Sequence, residues 1–246
     1  MGKIEACILI DESGSNLDTL MESVKAGYHS FLVSKLPLDT AKVEKVYHAS
    51  EESNVRVQFS HWPTLAPATQ WMFQTVPKPR FIHIVREISH TDFMERDVDL
   101  ESYWIDELGF CMKWIDGPTH QVDVQRAELN IKNGGVIHLF LRFDSGATAG
   151  ILVTTASADN HHKRVGADRS YILDCDVPSQ TVRAGRSNES GHLFFDKKVF
   201  DASKSAELAS IQFLKSIQLR KPTAFGAFDL YRTLRVFDKI NRKITI

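Results

Sequence analysis

Several features that mark common functional classes are absent from this sequence of 246 residues. Its three cysteines are odd in number and show no C-x-x-C spacing, which disfavours a zinc site or a redox pair. The glycines nowhere form the G-x-G-x-x-G turn of dinucleotide-binding proteins. Thirty basic and 31 acidic side chains give a net charge of -1, so no overall field would attract nucleic acid or anionic lipid.

Long hydrophobic runs are absent too. The N-terminal segment 1–14 carries a short apolar run interrupted by acids, which is too short for a signal peptide or a membrane span. We therefore expect a cytoplasmic protein without a membrane or nucleic-acid partner, with its cysteines as buried thiols. A hydrophobic content of 43% is enough for one large or two small domains.

Alternating strand and helix patterns occupy the first part of the chain. The apolar run 4–10 is typical of a parallel strand buried on both faces. Helices are predicted after Ser15 and after Asp39, and further strands over 30–33 and 55–59. The order βαβαβ predicts half of a doubly wound nucleotide-binding fold over residues 1–62.

The rest of the chain, residues 63–246, has a different rhythm and is predicted to form a second domain. A proline-rich stretch up to Pro79 is followed by strands that alternate in polarity, including a hairpin at 136–155. Helices are predicted over 100–115, 204–219 and 228–240. The fold class is thus α/β plus α+β: a partial Rossmann-like βαβαβ unit, then a mostly antiparallel open β-sheet flanked by helices. The predicted strands of this part are 80–88, 122–129, 136–143, 149–155, 169–174, 180–183 and 192–195.

Four short segments resemble the Gfo/Idh/MocA oxidoreductases. They are Ala26-Gly27 with His29 before a strand, the sequence WIDG at 114–117, LRFDSG at 141–146 and ELASIQFLKSIQLRKP at 207–222. The resemblance implies NAD- or NADP-dependent hydride transfer on a sugar or cyclitol hydroxyl. It also implies a homo-oligomer that forms through the C-terminal sheet.

The sequence departs from this family at its start. Family members begin with a strand, a glycine-rich turn and a helix that receives the cofactor pyrophosphate, whereas this sequence opens where the family's fourth strand would begin. The resemblance therefore leaves two possibilities, a bound NAD or NADP or no cofactor in this chain. It also leaves open whether the protein is an enzyme or a pseudoenzyme, and it predicts weak or absent activity.

The catalytic positions of the family are altered as well. Its Glu-Lys-Pro sequence falls on Val33 and Ser34 when counted without a gap, so Lys35 matches the catalytic lysine only if residues are inserted. Lys35 is a candidate catalytic residue, and the alternative is a solvated lysine at a strand end. The strand-to-helix residue His61 is a candidate cofactor contact, with a buried, hydrogen-bonded histidine as the alternative.

The family's active-site helix carries Asp, His and Asp at positions that fall here on Tyr103, Glu107 and Phe110. Tyr103 and Glu107 are candidate catalytic residues, since either can move a proton. Glu107 and its neighbour Asp106 could instead be helix-surface charges.

Two further clusters have plain interpretations. The neighbours His161 and His162, with Asp159, offer no closed ligand set, so a solvated loop is predicted and no metal site. Phe194 and Phe195 are predicted to lie in the sheet core or at an interface.

Three functional hypotheses follow. The first is a divergent oxidoreductase that acts on a sugar-like small molecule. The second is a non-catalytic binding or oligomerisation module that uses the open sheet. The third is a composite site completed by a separate chain that supplies the rest of the Rossmann fold.

Overall fold

A computed structural model describes residues 5–10, 16–96, 99–129, 134–188 and 190–244 of the chain. The first elements in chain order are β1 (Ala6–Ile10), α1 (Asn16–Lys25), β2 (His29–Val33), α2 (Thr40–Glu52), β3 (Val57–Phe59), α3 (Trp62–Leu65) and α4 (Pro67–Thr75). They are followed by β4 (Phe81–Ser89), α5 (His90–Arg96), α6 (Leu100–Trp114), β5 (Thr119–Glu128), β6 (Gly135–Phe143) and β7 (Thr148–Ser157). The last are β8 (His161–Ala167), β9 (Tyr171–Asp176), β10 (Thr181–Ser187), β11 (Leu193–Val199), a 3-10 turn (Ala202–Lys204), α7 (Ser205–Gln218) and α8 (Ala227–Ile244).

The first three strands form a parallel sheet in the order β1-β2-β3, which confirms the predicted βαβαβ unit. Asp39 caps α2 as expected, because its carboxylate accepts a hydrogen bond of 2.8 Å from the backbone N–H of Lys42. Gly27 follows α1 with a φ of +82°, a conformation that favours glycine and ends the helix. The predicted cap of α1, Ser15, lies outside the described residues.

The prediction that the first strand is buried on both faces was wrong. Among the described strands β1 pairs only with β2, and its Ile8 and Ile10 are 53% and 74% exposed. The apolar sequence correctly indicated a strand, but sequence alone does not tell an edge strand from a central one.

The proline-rich stretch contains two short helices that the sequence analysis missed. Pro63 and Pro67 stand in the first turns of α3 and α4, where a residue without an N–H costs no helical hydrogen bond. Each helix is shorter than the window over which a periodic pattern becomes visible.

The remaining eight strands form one sheet in the order β11-β10-β9-β8-β4-β7-β6-β5. Every neighbouring pair is antiparallel except β4 with β7, which confirms the mostly antiparallel sheet. One face of the sheet packs against α6 and α8, with Ile84, Ile151 and Trp104 fully buried between them. Gly166 of β8 lets α6 approach, since a Cβ there would lie 2.0 Å from the ring of Trp114.

The segment around His161 and His162 is strand β8 rather than the predicted loop. It lies at the centre of the sheet between β4 and β9. The second face of the sheet is not covered by any described helix, so it is called the open face below. In the part of the chain that the structure describes, no helix has both the length and the apolar character needed to cross a membrane.

Candidate functional site

The carboxyl ends of β2 and β3 lie side by side and carry Lys35 and His61. The Ser60 hydroxyl accepts a hydrogen bond of 3.0 Å from the Ser34 backbone N–H and donates one of 3.1 Å to the Ser34 carbonyl, which ties the two ends together. Lys35 follows directly and is exposed. Of the candidates from the sequence, it is the one that solvent and ligands reach freely.

His61 is enclosed between the end of β3 and helix α6. It is 2% exposed, and its ring stacks on Phe225 with the ring centroids 4.2 Å apart. Nδ1 lies 3.1 Å from the Thr64 hydroxyl and Nε2 lies 3.0 Å from the Asp106 carbonyl oxygen, so both nitrogens are used within the protein. Burial, aided by the charge of Arg164, lowers the pKa of His61 to about 3, and the ring is neutral at physiological pH.

Glu107 of α6 lies in the protein interior at the centre of an ion cluster, not on the helix surface. Its side chain is 0% exposed. Oε2 accepts a hydrogen bond of 2.8 Å from Nε of Arg164, and Oε1 accepts one of 2.9 Å from the same guanidinium. Arg86 of β4 donates a third, of 3.2 Å, to Oε1. This fork-to-fork geometry is the strongest arrangement for an arginine and a carboxylate.

The charge of Arg164 keeps Glu107 ionised. Burial opposes ionisation, but the charge of Arg164 outweighs it and holds the pKa of Glu107 well below its usual range. The Arg164 side chain is only 2% exposed, and its guanidinium lies over the ring of Phe110, 4.5 Å from the centroid. Glu107 is therefore ionised at neutral pH.

Tyr103 lies one helical turn before Glu107 and is 6% exposed. The Arg86 guanidinium lies over its ring, 4.8 Å from the centroid, and also donates to the Tyr103 carbonyl oxygen. Its hydroxyl has no hydrogen-bond partner in the part of the chain that the structure describes. Helix α6 thus brings two of the predicted residues, Tyr103 and Glu107, to the same arginine. No described contact links Lys35 to them.

The sequence analysis missed the partners that β4 and β8 bring to this cluster. His162 Nε2 lies 3.0 Å from Oε1 of Glu107, although the approach is off the axis of a hydrogen bond. Asp106 lies 3.8 Å from Arg86, and burial raises its pKa to about 6 even though a third of its side chain is exposed. The sequence HHKRVGA begins with four polar side chains in a row, two of them cationic at pH 7, and such a run is typical of a surface loop.

The described residues do not fit a dinucleotide cofactor. A pyrophosphate needs a run of backbone N–H groups at a glycine-rich turn before a helix. In the structure the ends of β2 and β3 are closed against each other by Ser34 and Ser60. Within the described ranges no three histidine, cysteine or carboxylate side chains are grouped to hold a metal ion.

A scan against protein-family models and a search of curated proteins each give no match to this sequence. Solved structures do match. UDP-N-acetylglucosamine 3-dehydrogenase GnnA from Acidithiobacillus ferrooxidans is 14% identical with a TM-score of 0.79, covering 96% of this chain and 77% of that one. An NAD binding oxidoreductase from Klebsiella pneumoniae is 10% identical with a TM-score of 0.83, covering 98% and 78%.

A third similar structure is a putative myo-inositol dehydrogenase from Sinorhizobium meliloti 1021, with 12% identity, a TM-score of 0.71 and coverage of 100% of this chain and 80% of that one. All three align over nearly the whole of this chain, through both sheets. The fold of the chain is that of the Gfo/Idh/MocA-type dehydrogenases.

Proposed function

We propose that this protein binds a sugar or cyclitol within the dehydrogenase fold and that its hydride-transfer activity is weak or lost. One observation carries the proposal: Glu107, at the position that the family resemblance assigns to a catalytic histidine, is buried with both carboxylate oxygens held by Arg164 and Arg86. A group locked in this way stabilises the helix against the sheet, and it neither accepts nor donates a proton during turnover.

The class of ligand is supported by the similar structures. Two of them are named for substrates with several hydroxyl groups, UDP-N-acetylglucosamine and myo-inositol. The nicotinamide cofactor of such enzymes is less well supported in this chain, because the described residues offer no phosphate cradle.

The test is a titration of the purified chain with NADH and with NADPH, followed through energy transfer from its four tryptophans to the nucleotide. Reduction of NAD or NADP is measured in parallel with myo-inositol and UDP-N-acetylglucosamine. We expect no saturable nucleotide binding and no turnover. Micromolar nucleotide binding with turnover would overturn the loss of activity, and Lys35→Ala would then test the one exposed candidate for contact with the reacting hydroxyl.

A second candidate function is self-assembly through the open face, favoured by one row of side chains. Register pairs align Phe81, Ala167, Ile172, Gly185 and Phe195 across five neighbouring strands. Phe195 is 69% exposed, Ile172 47% and Phe81 46%, which leaves an apolar band on the surface.

Light scattering coupled to size exclusion tests this assembly. We expect a dimer or larger species for the native chain and dissociation by Phe195→Ser. The matched control is Phe228→Ser, since Phe228 on α8 is 48% exposed but lies away from the open face. A native chain that is monomeric at high micromolar concentration would contradict the second candidate.

A further inference from the structure

We propose that His162 is the residue of the ion cluster that contacts the bound polyhydroxylated ligand and that Glu107 positions it. This inference rests on the ligand-binding function proposed above, and it assigns the contact to β8, an element that the sequence analysis took for a loop. Four observations support it.

The first observation is accessibility. Glu107 and Arg164 are 0% and 2% exposed, so no ligand reaches them. The side chains of His162, Arg86 and Asp106 are 15%, 20% and 34% exposed. The cluster therefore has a closed interior, and its partly exposed side chains, His162, Arg86 and Asp106, are called its mouth below.

The second observation is orientation. Arg86 and His162 are register partners on β4 and β8, and both point to the helix-covered face, where they contact the same oxygen of Glu107. The Nε2 atom of His162 is buried, so the exposed part of its ring lies elsewhere. Nδ1 has no hydrogen bond to the described residues and is the nitrogen left for a ligand.

The third observation is protonation. Burial lowers the pKa of His162 below its usual value, against the opposing effect of Glu107, and Arg164 and Arg86 lower it further. The ring is neutral at physiological pH and carries one proton. The carboxylate of Glu107 beside Nε2 favours the tautomer with the proton on that nitrogen, which leaves Nδ1 as an acceptor.

The fourth observation is the combination of groups at the mouth. His162 and Arg86 are register partners on the same face of the sheet, and the carboxylate of Asp106 lies 3.8 Å from the guanidinium of Arg86. A diol needs such a mixture, because each hydroxyl both donates and accepts a hydrogen bond. Equal numbers of arginines and carboxylates in the cluster leave no net charge at pH 7, which favours a neutral ligand such as a sugar or cyclitol.

Binding of myo-inositol and of D-glucose, measured by saturation-transfer NMR and calorimetry, tests the assignment on the full chain. We expect His162→Phe to weaken binding at least tenfold, because the ring is kept and both nitrogens are lost. His162→Gln, which keeps an acceptor, should restore most of the affinity. The matched control is His161→Phe, the adjacent residue on the opposite face of β8, which should bind as the native chain does.

The pH profile separates contact from mere support of the fold. Because the pKa of His162 is lowered, native binding should persist to a pH below the ordinary histidine value of about 6.5 and then fall, since a protonated Nδ1 no longer accepts. The charged groups that act on His162 are Glu107 from α6, Arg86 from β4 and Arg164 from its own strand, and Asp106 of α6 lies beyond them, 3.8 Å from Arg86. With Gln at position 162, the part of the pH dependence that belongs to the imidazole should disappear.

The outcomes are distinguishable. Native affinity in His162→Phe overturns the inference and leaves the proposed function intact. Failure of the native chain to bind either probe overturns both. Nitrogen-15 NMR of the imidazole adds a reading that needs no ligand: a proton on Nε2 at pH 7 supports positioning by Glu107, and a proton on Nδ1 contradicts it.

Discussion

Gly109 of α6 lies directly against the imidazole of His61. A Cβ placed on Gly109 would be 2.6 Å from Nε2 and 3.0 Å from Cε1 of the ring. The same nitrogen lies 3.0 Å from the Asp106 carbonyl oxygen, one turn earlier on the helix. The absence of a side chain at Gly109 is thus what allows α6 to pack on the end of β3, where the two sheets meet.

We expect Gly109→Ala to destabilise the protein by about 1–3 kcal/mol, because the added methyl group overlaps a buried ring that cannot move away. The direction of this stability change is informative, because the same Gly-to-Ala substitution at a solvent-exposed helix position stabilises a helix by about 1 kcal/mol. Urea unfolding measures the difference. Ser102→Ala, on the less crowded side of α6, is the control and should change little; a Gly109→Ala protein as stable as the native one would refute the close contact.

Stability should fall as the pH is lowered from 7.5 to 5. The pKa of His61 is lowered to about 3 in the folded chain. Between about pH 6.5 and pH 3, the unfolded chain therefore binds a proton at His61 that the folded chain does not bind. Each pH unit in this window costs about 1.4 kcal/mol. The lowered pKa of His162 acts in the same direction.

Asp106 acts in the opposite direction in part of this window. Its pKa is raised to about 6, so the folded chain gains a proton first as the pH falls from 6 towards 4. The two lowered histidine pKa values have a larger combined effect than the one raised carboxyl pKa. The free energy of unfolding therefore still decreases as the pH falls. Urea unfolding at pH 7.5, 6.5, 5.5 and 5 measures the slope, which should be shallower in His61→Gln. An imidazole of His61 that titrates near 6.5 by NMR would contradict this account.

Arg164→Met should cost about 3–5 kcal/mol, since it leaves the Glu107 carboxylate buried with one of its two arginines gone. The double variant Arg164→Met with Glu107→Gln should recover a large part of the loss, because it removes the uncompensated charge. The exposed pair Lys42 and Asp18 is the comparison, as its two side chains are 48% and 71% exposed. Breaking that pair should cost less than about 1 kcal/mol.

Asp39→Ala should destabilise the protein by about 1 kcal/mol through the loss of the cap on α2. Thermal unfolding followed by circular dichroism measures the effect. Asp39→Asn, which keeps an acceptor for the Lys42 N–H, is the control and should retain most of the stability. An unchanged melting temperature in Asp39→Ala would show that the cap contributes nothing.

The fold was largely predictable because its elements carry local signals. The start of α2 at Asp39, the end of α1 at Gly27 and the turn after Phe143 each depend on a few neighbouring residues. The structure has the predicted helix start, helix end and hairpin at these places.

Strand β8 was not predictable in this way. Its outward Lys163 forms an ion pair with Asp174, and its inward Arg164 pairs with the buried Glu107, so polar side chains lie on both faces of this strand and hide its alternation.

The contacts of the candidate site were less predictable from the sequence than the fold was. Tyr103 and Glu107 were identified through the family resemblance, which assigns positions of the family's active-site helix to them. Their partners Arg86 and Arg164 come from strands far away in the chain, and the sequence contains no signal for that pairing. The catalytic roles predicted for Lys35, Tyr103 and Glu107 and the cofactor contact predicted for His61 stay predictions.

The enclosed pair of Glu107 and Arg164 also limits how this protein can change. A histidine placed at position 107 alone would leave the guanidinium of Arg164 buried without the carboxylate that pairs with it. Replacing Arg164 first would strand the carboxylate instead. Each single replacement gives a less stable protein, so a change of chemistry at this cluster requires coordinated replacements on α6 and β8. An engineer who wishes to place a different group at position 107 would have to replace Arg164 in the same step.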